Sequence, residues 1–339
     1  MQDLQMFLAN IWYFLLGLVL VLYVVLDGFD LGVGMLSLFA RDERSRGIMM
    51  ASLGYIWDAN ETWLVILGGM LFGAFPLAYG VMLQAFYLPL LLMIFGLIFR
   101  GMAFGFRENA DNKRPWNVAF GLGSLLSTLA QGLILGGFIS GIPMHGRSYA
   151  GHVWDWLTPF SLLVAAGAVF GYALLGAAYL IIKTEGEIQK LNYRYAKIAA
   201  SLMLLAAAGI SIWTPLRHAY VAERWFVWPN FFYIALLPAG AFCSFLMLMR
   251  SLQKRQERAP FFWSLGIFLF SFTGLAVSLY PYIIPTTVTL GEAAASPKTL
   301  VFMLTGIGML IPLMLGYNAY QYAVFRGKVR EEQGYPSGS

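Results

Sequence analysis

Seven stretches of this chain run without a charged side chain for long enough to cross a lipid bilayer: Leu4 to Leu26, Thr62 to Phe99, Pro115 to Met144, Trp156 to Ile182, Trp225 to Met249, Ala259 to Gly291 and Thr299 to Phe325. A hydrocarbon core about 30 Å thick takes roughly 20 helical residues, and the second stretch, hinged near Pro76, holds two such spans. Backbone N–H and C=O groups find no water inside lipid, so helices that close their own hydrogen bonds are the structure to expect. Charged residues make up only 12% of the sequence, against about a quarter in ordinary soluble domains. The opening MQDLQMFLAN has no basic residue and no small-residue cleavage site, which predicts a retained first helix. Cys243 is the only cysteine, so disulfides and cysteine metal sites are excluded; inside an apolar run it reads as a small buried hydrophobe.

Apolar runs between charged clusters predict nine helices, near 8–38, 48–74, 76–102, 116–140, 157–182, 195–217, 226–249, 260–283 and 299–325. With the N-terminus outside, alternate connections inside carry Arg41, Arg44 and Arg46; Arg100, Arg107, Lys113 and Arg114; Lys183, Lys190, Arg194 and Lys197; Arg250, Lys254, Arg255 and Arg258; and Arg326, Lys328 and Arg330. Only Arg147, Arg217, Arg224 and Lys298 of the 22 basic residues fall outside. This asymmetry predicts a cytoplasmic C-terminus. It also accounts for the net charge of +5, since basic residues at the inner face meet anionic lipid; nucleic acid is not implied. Without a linker or a repeat, residues 1–326 read as one polytopic domain and 327–339 as a short cytoplasmic tail.

Four acids fall within the expected spans: Asp27 and Asp30 on the first helix, Asp58 and Glu61 on the second. Carboxylates in a membrane are costly and usually functional. The spacing i, i+3 puts each pair on one face. Counted from the expected helix ends at 1.5 Å per residue, Asp27, Asp30 and Asp58 lie roughly 12–18 Å deep, at one level on two antiparallel helices. No Lys or Arg is expected at that level, so burial favours neutral carboxyls unless a second subunit supplies partners. Two uses suit them: a proton path from the cytoplasm, or interhelical hydrogen bonds that fix packing.

Around these acids, Gly28 and Gly32 in GFDLGVG make a small-xxx-small face for close helix approach. Trp57 and Trp63 in WDANETW flank the second pair, where indole N–H groups suit carboxylates or water. Arg100, expected at the inner end of the third helix, either snorkels to headgroups or pairs with an acid. Gln84 and Gln131 read as interhelical hydrogen bonders. His145, His152 and His218 all fall at the outer side, so no imidazole occupies a bundle core, and a haem ligated wholly by this chain is not expected. The 16 Met residues suit haem ligation by type and are also ordinary filler in apolar cores.

Four motifs in register, DGFDLGVGML (Asp27–Leu36), WDANETWL (Trp57–Leu64), FRGMAFGFR (Phe99–Arg107) and YPYIIPTTVTL (Tyr280–Leu290), resemble subunit II of cytochrome bd quinol oxidases over nearly the whole chain, most like the cyanide-insensitive branch. The resemblance implies an all-α subunit of two four-helix bundles plus one peripheral helix in the bacterial inner membrane. It also implies a partner, subunit I, that binds b-type haems, with a d-type haem compatible, oxidises quinol at the outer side and reduces oxygen to water. Asp58 and Trp57 match the family's second-helix motif, Asp27 and Asp30 its first, and Arg100 its third. Glu61 departs from the pattern, where many relatives carry Gln, and Gly105 stands where some carry an acid. No haem or metal is expected on this chain. A bound quinone or lipid and a small single-helix third subunit are compatible with the resemblance. Asp58, Glu61, Asp27 and Asp30 are the expected proton-path residues, with Trp57, Trp63 and Arg100 in support. An ion-coupled secondary transporter, whose midplane acids would sit beside a glycine-rich helix, is the rival from another class. A purely structural anchor is the second rival.

Overall fold

Lipid as the solvent leaves its mark on burial. Phe302 and Leu216 are each 81% exposed on helix surfaces, and buried residues are 56% of the apolar window in one central helix but 11% in two others. The computed structural model describes residues 2–54, 56–217 and 219–329, so His218, Arg330 and most of the expected tail lie outside the described residues.

The helices in chain order are α1 (Gln2–Ser37), α2 (Glu43–Leu53), α3 (Ile56–Ala74), α4 (Pro76–Ala85), α5 (Tyr87–Arg107), α6 (Arg114–Ser140), α7 (Pro159–Lys183), α8 (Gly186–Arg217), α9 (Ala219–Trp225), α10 (Asn230–Gln253), α11 (Ala259–Leu279), α12 (Leu290–Ala293) and α13 (Pro297–Val324). Two antiparallel hairpins, β1–β2 (Met144–His145 with Ser148–Tyr149) and β3–β4 (Tyr282–Ile284 with Val288–Thr289), lie between α6 and α7 and between α11 and α12. Helix starts follow local chemistry. Pro stands at the start of α4, α6, α7, α11 and α13, where its missing N–H costs nothing. Thr158 and Ser161 cap α7 reciprocally, and Asp42 accepts the Ser45 N–H at the head of α2.

Among the described residues eight helices are long and apolar enough to span a membrane: α1, α5, α6, α7, α8, α10, α11 and α13. The remaining expected span, α3, has 19 residues but carries Asp58, Asn60 and Glu61 in its first two turns. Packing sorts α1, α3, α5 and α6 into one group and α7, α8, α10 and α11 into another, joined through α1, α6 and α7; α13 lies against α3 and α1. This matches the expectation of two four-helix bundles with one helix at the side.

Two expected helices are broken. The run 48–74 divides into α2 and α3 around Gly54, whose φ of +52° suits a residue without Cβ. The run 76–102 divides at Phe86 into α4 and α5, and α5 continues to Arg107. Hydropathy alone sees neither break, because the residues on both sides are apolar. Both shift the depth of the polar residues that follow.

Gly32 on α1 sets the contact with α7. A Cβ there would lie 1.9 Å from the Tyr172 carbonyl oxygen, so the small-residue face is a packing surface. Between α5 and α6 the same role falls to Gly123, where an added Cβ would meet the Gly96 carbonyl at 2.6 Å and the Arg100 nitrogen at 3.0 Å.

Candidate functional site

The polar centre of the molecule is built by α1, α3, α5 and α13. Asp27 and Asp30 on α1, Asn60 on α3 and Arg100 on α5 are each 0% exposed. Arg100 Nη1 donates to Asp27 Oδ1 at 2.5 Å and Nη2 to Glu61 Oε2 at 2.8 Å, so one guanidinium ties three helices. The Glu61 side chain keeps 27% exposure. Asn60 Nδ2 donates to Asp30 Oδ2 at 2.8 Å and to the Leu26 carbonyl at 3.4 Å, while its Oδ1 accepts from the Tyr322 hydroxyl at 3.0 Å. One turn along the same α3–α13 seam, the Trp63 indole donates to Asn318 Oδ1 at 3.0 Å. Asp27 Oδ2, Asp30 Oδ1 and Arg100 Nε are buried with no hydrogen-bond partner among the described residues.

This geometry corrects three expectations. The carboxylates do have a cationic partner within the chain. Because α5 runs on to Arg107, Arg100 sits roughly 10 Å inside the helix end, level with the acids and away from headgroups. Asp58 does not join Asp27 and Asp30: after the break at Gly54 it stands in the first turn of α3, which starts at Ile56, and its side chain is exposed while theirs are buried. Glu61, one turn further in, is the member of that pair that meets the cluster. The flanking tryptophans also play other parts. Trp57 stacks on Phe104 at 5.0 Å, and Trp63 serves Asn318; among the described hydrogen bonds neither indole donates to a carboxylate.

Two further polar groups surround the centre. Towards the hairpin end, Tyr172 donates to Gln131 Oε1 at 2.7 Å and Gln131 Nε2 to Tyr23 at 2.8 Å, so Gln131 is the interhelical bonder its isolation suggests. Towards the basic end, Arg107 holds Glu43 directly and Asn117 Oδ1 at 2.7 Å, and Asn117 Nδ2 reaches Glu43 Oε2 at 2.6 Å. This ring fastens α2 to α5 and α6.

Asn60, Tyr322 and Asn318 escape a search for charge. Their signal is weaker: Asn60 lies between two acids in WDANETW, and Asn318 and Tyr322 stand four apart on one face of an apolar helix. Chemically, three carboxylates against one guanidinium leave negative charge that protons can neutralise, where burial penalises charge.

His145 and His152 are exposed beside the first hairpin, so the described imidazoles do not fit a haem inside the bundle. Among the described residues no three His, Cys, Asp or Glu side chains converge as a metal site would.

Fold and site together define a multi-pass helical membrane protein built around a buried ionic network. The family described as cytochrome bd terminal oxidase subunit II matches residues 8–325. Cytochrome bd-I ubiquinol oxidase subunit 2 of Escherichia coli (strain K12) is 30% identical, with 96% of both chains covered. Cytochrome bd ubiquinol oxidase subunit 2 of Bacillus subtilis (strain 168) is 26% identical over 96% of this chain and 98% of its own. The bd oxidase structure from Geobacillus thermodenitrificans superposes with a TM-score of 0.76 at 20% identity, over 94% of this chain and 99% of that one, a likeness of fold. The chain belongs to the cytochrome bd terminal oxidase subunit II family. It is therefore a subunit of a respiratory oxidase complex and a multi-pass protein of the bacterial inner membrane.

Proposed function

We propose that this chain supports a haem-bearing subunit I in a quinol:oxygen oxidoreductase and carries part of the proton path from the cytoplasm to the site of oxygen reduction. Ubiquinol as electron donor follows the names of the Escherichia coli and Bacillus subtilis relatives. Haems held by the partner would supply electrons and the iron that binds oxygen. This chain's own residues hold and pass protons.

The observation that carries the reading is the link from a partly exposed acid to fully buried ones: Glu61, 27% exposed, is joined through Arg100 to Asp27 at 1%. With the basic end taken as cytoplasmic, which the distribution of Lys and Arg supports, the exposed Asp58 lies one turn before Glu61 on the inner side. Asp27 and Asp30 follow, each with one oxygen free of hydrogen bonds. Arg100 offsets part of the negative charge, so the cluster can lose and regain a proton without stranding several bare carboxylates. Protons taken from inside and released by quinol outside would build a membrane potential without a pump.

The test is Asp58→Asn and Glu61→Gln in the purified complex. Haem content equal to the parent's with slower quinol-driven oxygen uptake supports the path. Normal turnover in fully assembled variants contradicts it. A structural-anchor reading has its own observation, the fully buried Arg100–Asp27 pair. That reading predicts that neutral substitutions alter assembly and leave turnover per haem unchanged. The transporter reading needs no oxidase partner and loses its ground to family membership.

A further inference from the structure

Asn60 and Tyr322 are absent from the acid and arginine inventory, yet their hydrogen bonds decide what Asp30 can do. An amide side chain has one accepting and one donating end. Asn60 faces three neighbours: the Leu26 carbonyl, which only accepts; the Asp30 carboxylate, which accepts when ionised; and the Tyr322 phenol, which can donate. Only one amide orientation satisfies all three, with Nδ2 toward Leu26 and Asp30 and Oδ1 toward Tyr322. The flipped amide leaves the phenolic hydrogen without its acceptor and sets an amide oxygen against the Leu26 carbonyl and a carboxylate. Asp30 Oδ2 is thereby occupied by a donor, and Oδ1 is the oxygen left buried and unpartnered.

We propose that Asn60, oriented by Tyr322 and the Leu26 carbonyl, is a positioning residue that occupies Asp30 Oδ2 and directs the proton carried by Asp30 to Oδ1. The inference rests on the proposed proton path and adds the stereochemistry of one step. Binding forms an O–H bond at Oδ1 and release breaks it, with no electron transfer. Oδ2 keeps its amide hydrogen bond in both states. Fixing the oxygen fixes the direction in which the proton leaves. It also spares the site an amide flip at each turnover. The groups around Asp30 come from five helices: Asp27 on its own helix, Asn60 and Glu61 on α3, Arg100 on α5, Tyr179 on α7 and Tyr322 on α13. Tyr322 acts only through Asn60.

The experiment uses the purified oxidase complex with four variants: Asp30→Asn, Tyr322→Phe, Asn60→Ala and the double variant of the last two. Each is measured for haem content, quinol-driven oxygen uptake and the carboxylic C=O stretch in reduced-minus-oxidised infrared difference spectra. Asp30→Asn is expected to remove one C=O band and slow turnover, which assigns the band. Tyr322→Phe, which deletes a single oxygen atom, is expected to keep full haem content, shift that band and slow turnover about fivefold, the net weight of one neutral hydrogen bond. Asn60→Ala is expected to shift the band further, with Tyr322→Phe adding nothing in the double variant. If Asp30→Asn slows turnover and removes the band while Tyr322→Phe and Asn60→Ala leave both as in the parent, the positioning role is overturned and the path stands. Independent, additive effects in the double variant overturn the action of Tyr322 through Asn60. Parental turnover and an unchanged spectrum in Asp30→Asn overturn both the path through Asp30 and this inference.

Discussion

Replacing Arg100 with Met removes the one cation paired with Asp27 among the described residues while keeping a long side chain in the space. The Asp27 and Arg100 side chains are 1% and 0% exposed, so the carboxylate left behind cannot turn to solvent. Stripping one partner from a buried pair typically costs about 3–5 kcal/mol. Glu61, with 27% exposure, can find water and adds at most about 1 kcal/mol. Arg100→Met should therefore lose about 3–5 kcal/mol of stability, and adding Asp27→Asn should recover more than half by removing the stranded charge. Equilibrium unfolding of the purified complex in mixed detergent micelles, followed by tryptophan fluorescence, measures both. A single variant that loses less than about 1 kcal/mol, or a double variant no more stable than the single, would refute the claim that Arg100 serves chiefly to compensate Asp27.

Other consequences follow from packing and caps. Gly32→Ala should abolish accumulation of the complex, because its Cβ would lie 1.9 Å from the Tyr172 carbonyl, whereas Gly17→Ala, with open space at that position, should accumulate normally; immunoblots of membranes decide. Gln131→Leu leaves the buried Tyr23 and Tyr172 hydroxyls without their shared partner and should cost about 1–3 kcal/mol in the same unfolding assay. The Asp42 carboxylate, outside the spans, is held below the usual range by the backbone N–H of Ser45. Its contribution to α2 is thus complete above the ordinary carboxyl range and is lost as pH falls through the lowered value, so amide protection of α2, corrected for intrinsic exchange, should decline on acidification in the parent and not in Asp42→Asn.

Length and apolarity made the helices legible, and the i, i+3 acids marked the polar centre. What stayed hidden was register. Glycine at 54 and the turn at Phe86 interrupt runs that hydropathy reads as continuous, so Asp58 reads as one of the buried acids and Arg100 as a helix-end residue. The sequence held a clue to the second error: Arg107, two turns after Arg100 in FRGMAFGFR, marks a later helix end than residue 102. Asn60, Asn318 and Tyr322 carry no charge, and an Asn or Tyr inside an apolar run has no partner until α13 is laid against α3. That contact joins residues more than 250 positions apart, which local patterns do not report.

The central claim is that protons for oxygen reduction enter from the basic end through this chain's acids. The most direct measurement uses the complex in vesicles whose lumen holds a trapped pH indicator, oriented with the basic end inward, during quinol-driven oxygen reduction. The account predicts alkalinisation of the lumen at the rate of oxygen uptake, slowed together with that uptake in Asp58→Asn and Asp30→Asn. Proton uptake from the opposite side, or a parental rate in both variants, would contradict it.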